Sequence, residues 1–159
     1  MELRRGGRCV PMRSADFLSG VVQAVRPKLP TEWPGFEING FGSLVKLYYG
    51  DPIVHFEVWV QSKTSRVEVG LHFEAGQATN DQLMAYFAGR FIEVQAALGP
   101  RLELDEWTRT WGRIHEMVPF TVLDEALAER VARRLAQMIT VLQPMLVEAP
   151  VHLPLAEKA

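Results

Sequence analysis

The chain carries a His-x-Glu spacing twice, at His55/Glu57 and at His72/Glu74. In residues 54–61 these polar residues alternate with Val54, Phe56, Val58 and Val60. In residues 66–75 they alternate with Val67, Val69, Leu71 and Phe73. A period of two is that of a strand with one buried face, and residues i and i+2 then share a side. The linker 62–65 is short enough for a hairpin. A register with Gln61 opposite Arg66 keeps both apolar sets together, where a one-residue slip would mix the faces, and it sets Trp59 across from Glu68, Glu57 across from Gly70 and His55 across from His72. Directly opposed residues have Cβ atoms roughly 4.5–5.5 Å apart. Two imidazoles so placed can reach one Zn²⁺ at about 2.0–2.1 Å, with Glu57 or Glu74 as a third ligand. Such a site could hold a metal-bound water for hydrolysis, or use a carboxylate-oriented histidine as general base. Histidine and glutamate also suit the solvated or partner-covered face of a half-exposed sheet, and an open sheet face offers no apolar pocket of its own.

Other chemistry is sparser. Arg113 and His115 fall on one side of a further strand and join the same face if that strand neighbours the hairpin. Asp51-Pro52 followed by Gln61-x-Lys63 is only superficially a nuclease metal pattern. A strand rising about 3.3 Å per residue holds Asp51 and Lys63 some 30–40 Å apart, too far to share an ion. Gly40-Phe41-Gly42 neither follows a strand nor opens a helix, so it is no dinucleotide fingerprint. Nucleophile-elbow, phosphate-loop and His-Glu-x-x-His patterns do not occur. A single cysteine, Cys9, makes neither an internal disulfide nor a thiolate cluster. No cofactor is therefore expected. Trp59 on the polar sheet face, and Trp107 and Trp111 flanking the link 108–110, are candidate contact residues, because tryptophan is enriched in interfaces.

The elements that must position these groups follow from the same periodicity. Ser14 can cap a helix with Phe17, Leu18, Val21, Val22 and Val25 on one stripe, ended by Pro27 and Pro30. Residues 31–42, with Pro34 and the Asn39-Gly40 pair, read as loop. Residues 44–49 read as a strand, and the hairpin follows. Thr79-Asn80-Asp81-Gln82 fits a capping box for a helix carrying Leu83, Phe87, Phe91, Val94 and Leu98 up to Gly99-Pro100. Residues 102–107 and 111–118 read as strands. Thr121 caps a last helix, with Leu127, Val131, Leu135, Met138 and Leu142 on its stripe, that Pro144 should end or kink. The order α-β-β-β-α-β-β-α predicts a two-layer α+β sandwich, an antiparallel five-stranded sheet with helices on one face. Val58, Val69, Leu71, Phe73, Phe87, Phe91, Val131, Leu135 and Met138 should form its core. Residues 14–146 form the single domain, with a basic tail at 1–13 and a second tail at 147–159.

Composition narrows the class. The chain has 159 residues, 48 % of them hydrophobic and 23 % charged, as in ordinary globular domains. Seventeen basic against nineteen acidic residues give a net charge of −2, which provides no global field to recruit nucleic acid or anionic membrane. No apolar run of about 18 residues spans a membrane. A cytoplasmic protein is the expectation. The last helix, at about 1.5 Å per residue, outreaches the strands it covers, so Leu142 and Leu146 should remain in water in a monomer and invite a homodimer.

This order of elements resembles the type III secretion chaperone-like fold, which includes the bacterial YbjN-like proteins, over residues 14–146. The resemblance implies a small dimeric protein that binds other proteins and has no catalytic site. A local resemblance in residues 91–115 (Ile92-Glu93, Ala97-Leu98-Gly99, Leu102-Glu103-Leu104, Arg113-Ile114) is to a bacterial domain of unknown function found beside restriction-type nucleases. The leading expectation is a non-catalytic interaction module that pairs with itself and an unknown protein. A metal-binding or hydrolytic protein using His55, His72, Glu57 and Glu74 is the alternative, and an accessory domain of a nucleic-acid-processing system the third.

Overall fold

The computed structural model describes residues 10–151, so residues 1–9, including Cys9, and 152–159 lie outside the described part. Six strands form one antiparallel sheet: β1 (Glu37–Phe41), β2 (Leu44–Tyr48), β3 (Val54–Gln61), β4 (Arg66–Phe73), β5 (Glu103–Glu106) and β6 (Gly112–Pro119), in the order β1-β2-β3-β4-β6-β5. Four helices accompany it: α1 (Ser14–Val25), α2 (Gln77–Ala88), α3 (Phe91–Leu98) and α4 (Glu125–Glu148). The α+β class is as expected. The hairpin register is also as expected, with His55 opposite His72, Glu57 opposite Gly70 and Trp59 opposite Glu68.

The apolar sets of β3 and β4 form the floor of the core, and Val58, Val69, Leu71 and Phe73 are fully buried. Phe73 stacks on Phe87 of α2 with ring centroids 5.6 Å apart. Met84, one turn before Phe87, lies against Gly112 of β6. Helix α4 packs on β4, and α1 and α3 pack on α4, so the helices gather over the apolar face. Val131, Leu135 and Met138 are buried there, whereas Phe91, at the start of α3, is only partly buried. The expected full burial of Phe91 is thus corrected: α3 starts afresh at that residue, whose side chain packs against the core only in part.

Several boundaries differ from expectation for identifiable reasons. β1 takes up part of the stretch read as loop, making six strands rather than five. Its Asn39-Gly40 pair sits within the strand, opposite Lys46 and Val45, and the turn comes at Gly42, with φ +63°. The single helix expected from residue 79 to 98 is two, because the chain breaks at Gly89 and Arg90. Asp124, not Thr121, caps α4 by accepting from the Leu127 N–H at 2.8 Å. Pro144 lies inside α4 without ending it; a proline there forfeits about 3 kcal/mol, which burial of Leu142 and Leu146 around it outweighs. Those two leucines are 0 % and 2 % exposed within one chain, so they do not wait for a partner. The second tail begins later than residue 147, since α4 runs to Glu148 and Ala149 is buried. The first ends earlier than residue 13: the Met12 N–H donates to the Leu123 carbonyl at 2.8 Å.

Candidate metal centre

Opposite the helices, the polar face of the sheet is also closed. His55, Glu57, Glu68, His72 and His115 are 1, 3, 0, 0 and 5 % exposed. Part of the cover is the link between β5 and β6. Trp107 sets its ring 5.7 Å from His72 and 6.3 Å from Trp59, and Trp111 packs on Trp107 at 6.4 Å. The Arg113 guanidinium lies 5.2 Å from the Trp107 ring centre. Asn80 of α2 helps hold this link, donating to the Thr110 carbonyl at 2.7 Å while also bonding Ala75. The three tryptophans singled out from sequence therefore come together. Trp59 and Trp107 are half-buried, and Trp111 is exposed.

Beneath them the four expected ligands converge. One ligand atom from each of His55, Glu57, His72 and Glu74 lies within 4.8 Å of all the others. His55 Nε2 is 3.2 Å from Glu57 Oε1 and 3.6 Å from Glu74 Oε2, and His72 Nε2 is 3.3 Å from Glu57 Oε2. Ligands on arms of about 2.0–2.1 Å around a tetrahedral ion stand about 3.3 Å from one another, so these three contacts match such an ion, while the four residues together meet only the looser 4.8 Å. The His55 and His72 rings stack at 5.6 Å with 15° between their planes.

Further side chains complete the face. His72 Nε2 also meets Glu68 Oε1 at 2.6 Å, and Glu68 Oε2 accepts from Arg113 Nη1 at 3.1 Å. Burial alone would raise the Glu68 carboxyl. The His72 hydrogen bond, with the charges of His72, Arg113 and His115, outweighs it and holds the group below its ordinary value. Arg113 in turn clasps Asp105 at 2.9 Å. β6 does neighbour the hairpin, with His115 opposite Gly70, so His115 joins this face as anticipated. Burial, followed by the Arg113 charge, lowers its pKa against the pull of Glu68, Asp105 and Glu103. Lys46 on β2 closes the other side, 3.4 Å from Glu74.

Sequence reasoning missed Lys46, Glu103 and Asp105. The last two carried a signal, since Glu103 and Asp105 alternate with Leu104 and so share a strand face. The Pro52 carbonyl, 2.8 Å from His55 Nδ1, had none, because backbone groups leave no mark in residue types. No family model matches the chain, and no curated protein or solved structure is significantly similar to it.

Proposed function

We propose that this domain is a non-catalytic binding module that holds a divalent transition-metal ion among His55, Glu57, His72 and Glu74. The observation that carries the reading is the direction of the His55 lone pair. The Pro52 carbonyl can only accept, so the hydrogen of a neutral His55 resides on Nδ1. Nε2 then directs its lone pair at Glu57 and Glu74, 3.2 and 3.6 Å away. Three acceptors facing one another repel, and a cation among them makes every contact attractive. An imidazole ligand that donates its other N–H to a backbone carbonyl is a recurrent metal-site arrangement. His72 completes the set by holding its hydrogen on Nδ1, which has no partner among the described residues, and turning its Nε2 lone pair from Glu68 to the ion. Four protein ligands leave no open position for a reacting water, which favours binding over hydrolysis.

Zn²⁺ titration of the metal-stripped protein tests this. At a free concentration 100 times the dissociation constant, binding adds about 2.7 kcal/mol, a melting shift of roughly 5–10 °C for this size. The shift should vanish in His55→Ala and in Glu57→Gln. An unchanged melting temperature with Zn²⁺, Mn²⁺ and Co²⁺ alike would overturn this reading.

One observation favours a second reading, the interaction module of the type III secretion chaperone-like kind, paired with itself in the cytoplasm. Trp111 is 36 % exposed although it rests on the half-buried Trp107, so a large apolar side chain is presented on a packed base. Light scattering should then report about twice the chain mass of 18.0 kDa, and Trp111→Ala should halve it. A single-chain mass for the unsubstituted protein removes this reading and leaves the metal centre untouched.

A further inference from the structure

The helix layer holds a second polar feature, remote in kind from the histidine face. A concavity of about 490 Å³ opens between α4, β6 and the connection from α3 to β5. Arg101 comes from that connection, and Arg130, Arg133 and Arg134 come from α4. Among the described residues Glu116 is the only acidic side chain lining it. Four guanidinium groups against one carboxylate stand out on a chain whose net charge is −2.

The four arginines are not equivalent. Arg134 is fixed: its Nε donates to Glu116 Oε2 at 2.7 Å, Nη1 to Gln137 Oε1 at 3.1 Å, and Nη2 to the Leu98 carbonyl. Glu116 is thereby paired with Arg134, and among the described residues none of the other three arginines lies within salt-bridge distance of it. Arg133 reaches Glu129 only at 4.0 Å. Arg101 and Arg130 are exposed and have no carboxylate within salt-bridge distance among the described residues. Arg130 and Arg133 are three apart on a helix and so stand side by side, with Arg101 supplied by a separate wall. Gathering like charges around one concavity raises the local potential and concentrates anions there.

We propose that this groove binds a small phosphorylated molecule, its phosphate oxygens taken by Arg101, Arg130 and Arg133. Guanidinium groups match phosphate oxygens as bidentate donors, which lysines would not do as well. The volume lies in the range of small-ligand pockets, about 300–1,000 Å³. Leu98, Met117 and Val118 add apolar wall for an organic portion beside the phosphate. The site is independent of the metal centre, since β6 contributes Glu116 and Val118 from the opposite side of the strand to His115.

Calorimetric titration of the full chain with inorganic pyrophosphate is the test, with orthophosphate, sulfate and a short single-stranded oligonucleotide as comparisons. Pyrophosphate should bind with a dissociation constant below about 1 mM. Arg101→Ala and Arg130→Ala should each weaken it about tenfold or more, as loss of a charge-assisted contact does. Both positions are exposed, so melting temperature should be unchanged and a folding defect is told apart directly. Arg109→Ala, on the link between β5 and β6, should bind as the parent chain does, and so should His55→Ala. Heat that is absent with pyrophosphate overturns the proposal. So does binding that the Arg109 substitution weakens as much as the other two, which would report general charge. Tight binding of the oligonucleotide without pyrophosphate would assign the groove to nucleic acid instead.

Discussion

Glu68 has no solvent contact, and its charge is sustained by His72 on one oxygen and Arg113 on the other. Two titrating groups on this face fix how stability responds to acid. The Glu68 pKa is lowered in the folded chain, so the unfolded chain binds that proton first as pH drops below its ordinary value of 4.5. His115 is also lowered, so below 6.5 the unfolded imidazole gains a proton that the buried one refuses. In both cases the unfolded state holds more protons, and stability falls with falling pH. Tyr49 sets the alkaline limit. Burial pushes its hydroxyl, which donates to the Trp33 carbonyl at 3.0 Å, up to about 12 against the pull of Arg26. Between pH 10 and about 12 the unfolded phenol ionises while the folded one does not, and stability is lost as pH rises. Urea midpoints measured from pH 3 to pH 11 should therefore form a plateau that declines below pH 6.5 and again above pH 10. In His115→Gln the first decline should begin nearer pH 4.5. A midpoint that stays level from pH 7 to pH 5 would show that His115 is freely protonated in the folded chain.

Strand pairing was legible in the sequence wherever alternation was strict. β3 and β4 each carry four apolar residues at period two, so a one-residue slip would bury His55 and Glu57 among helices, and the short link 62–65 sets the remaining choice. The same logic brought His55, His72, Glu57 and Glu74 together correctly. β1 was illegible because it is an edge strand: Ile38 is 49 % exposed, and Asn39-Gly40 carries the residue types of a turn. Helix starts were misplaced because Thr79 and Thr121 have capping chemistry, whereas three-dimensional contacts assign Asn80 to the Thr110 carbonyl and the cap to Asp124. The β4–β6 pairing adds a requirement that residue types alone do not reveal. A Cβ on Gly70 would lie 2.5 Å from the Ile114 carbonyl oxygen and 2.7 Å from the His115 Cβ, so backbone must move. A Cβ on Gly112 meets the flexible end of Met84, which can swing aside. Gly70→Ala should thus cost about 1–3 kcal/mol, at the upper end for overpacking, and Gly112→Ala distinctly less. Denaturant titration of the two variants decides the matter, and equal losses would show that β4 and β6 separate freely.

The whole molecule has two buried faces on one sheet, an apolar one under the helices and a polar one partly under Trp107 and its neighbours. Among the described residues no helix is long and apolar enough to cross a membrane. The length of α4 against that of the strands does not decide whether its end lies in water, contrary to expectation. The end of α4 is enclosed within its own chain: Leu142 and Leu146 are buried, Gln143 is 2 % exposed, and Ala149 and Val151 fold back onto the core. That changes what Leu142→Glu should do. At an interface between copies, the charge would halve the mass and leave the fold intact. In the core the carboxyl must either be buried as an ion or be protonated at neutral pH, and either route removes several kcal/mol. A domain of this size holds about 5–15 kcal/mol in all, so the variant should lose most of its cooperative melting transition. Circular dichroism and light scattering on the same sample separate the outcomes. A cooperatively melting Leu142→Glu protein at half the parental mass would return α4 to the role of an interface helix. A chain that has lost its transition places Leu142 in the core and leaves Trp111 to carry any self-association.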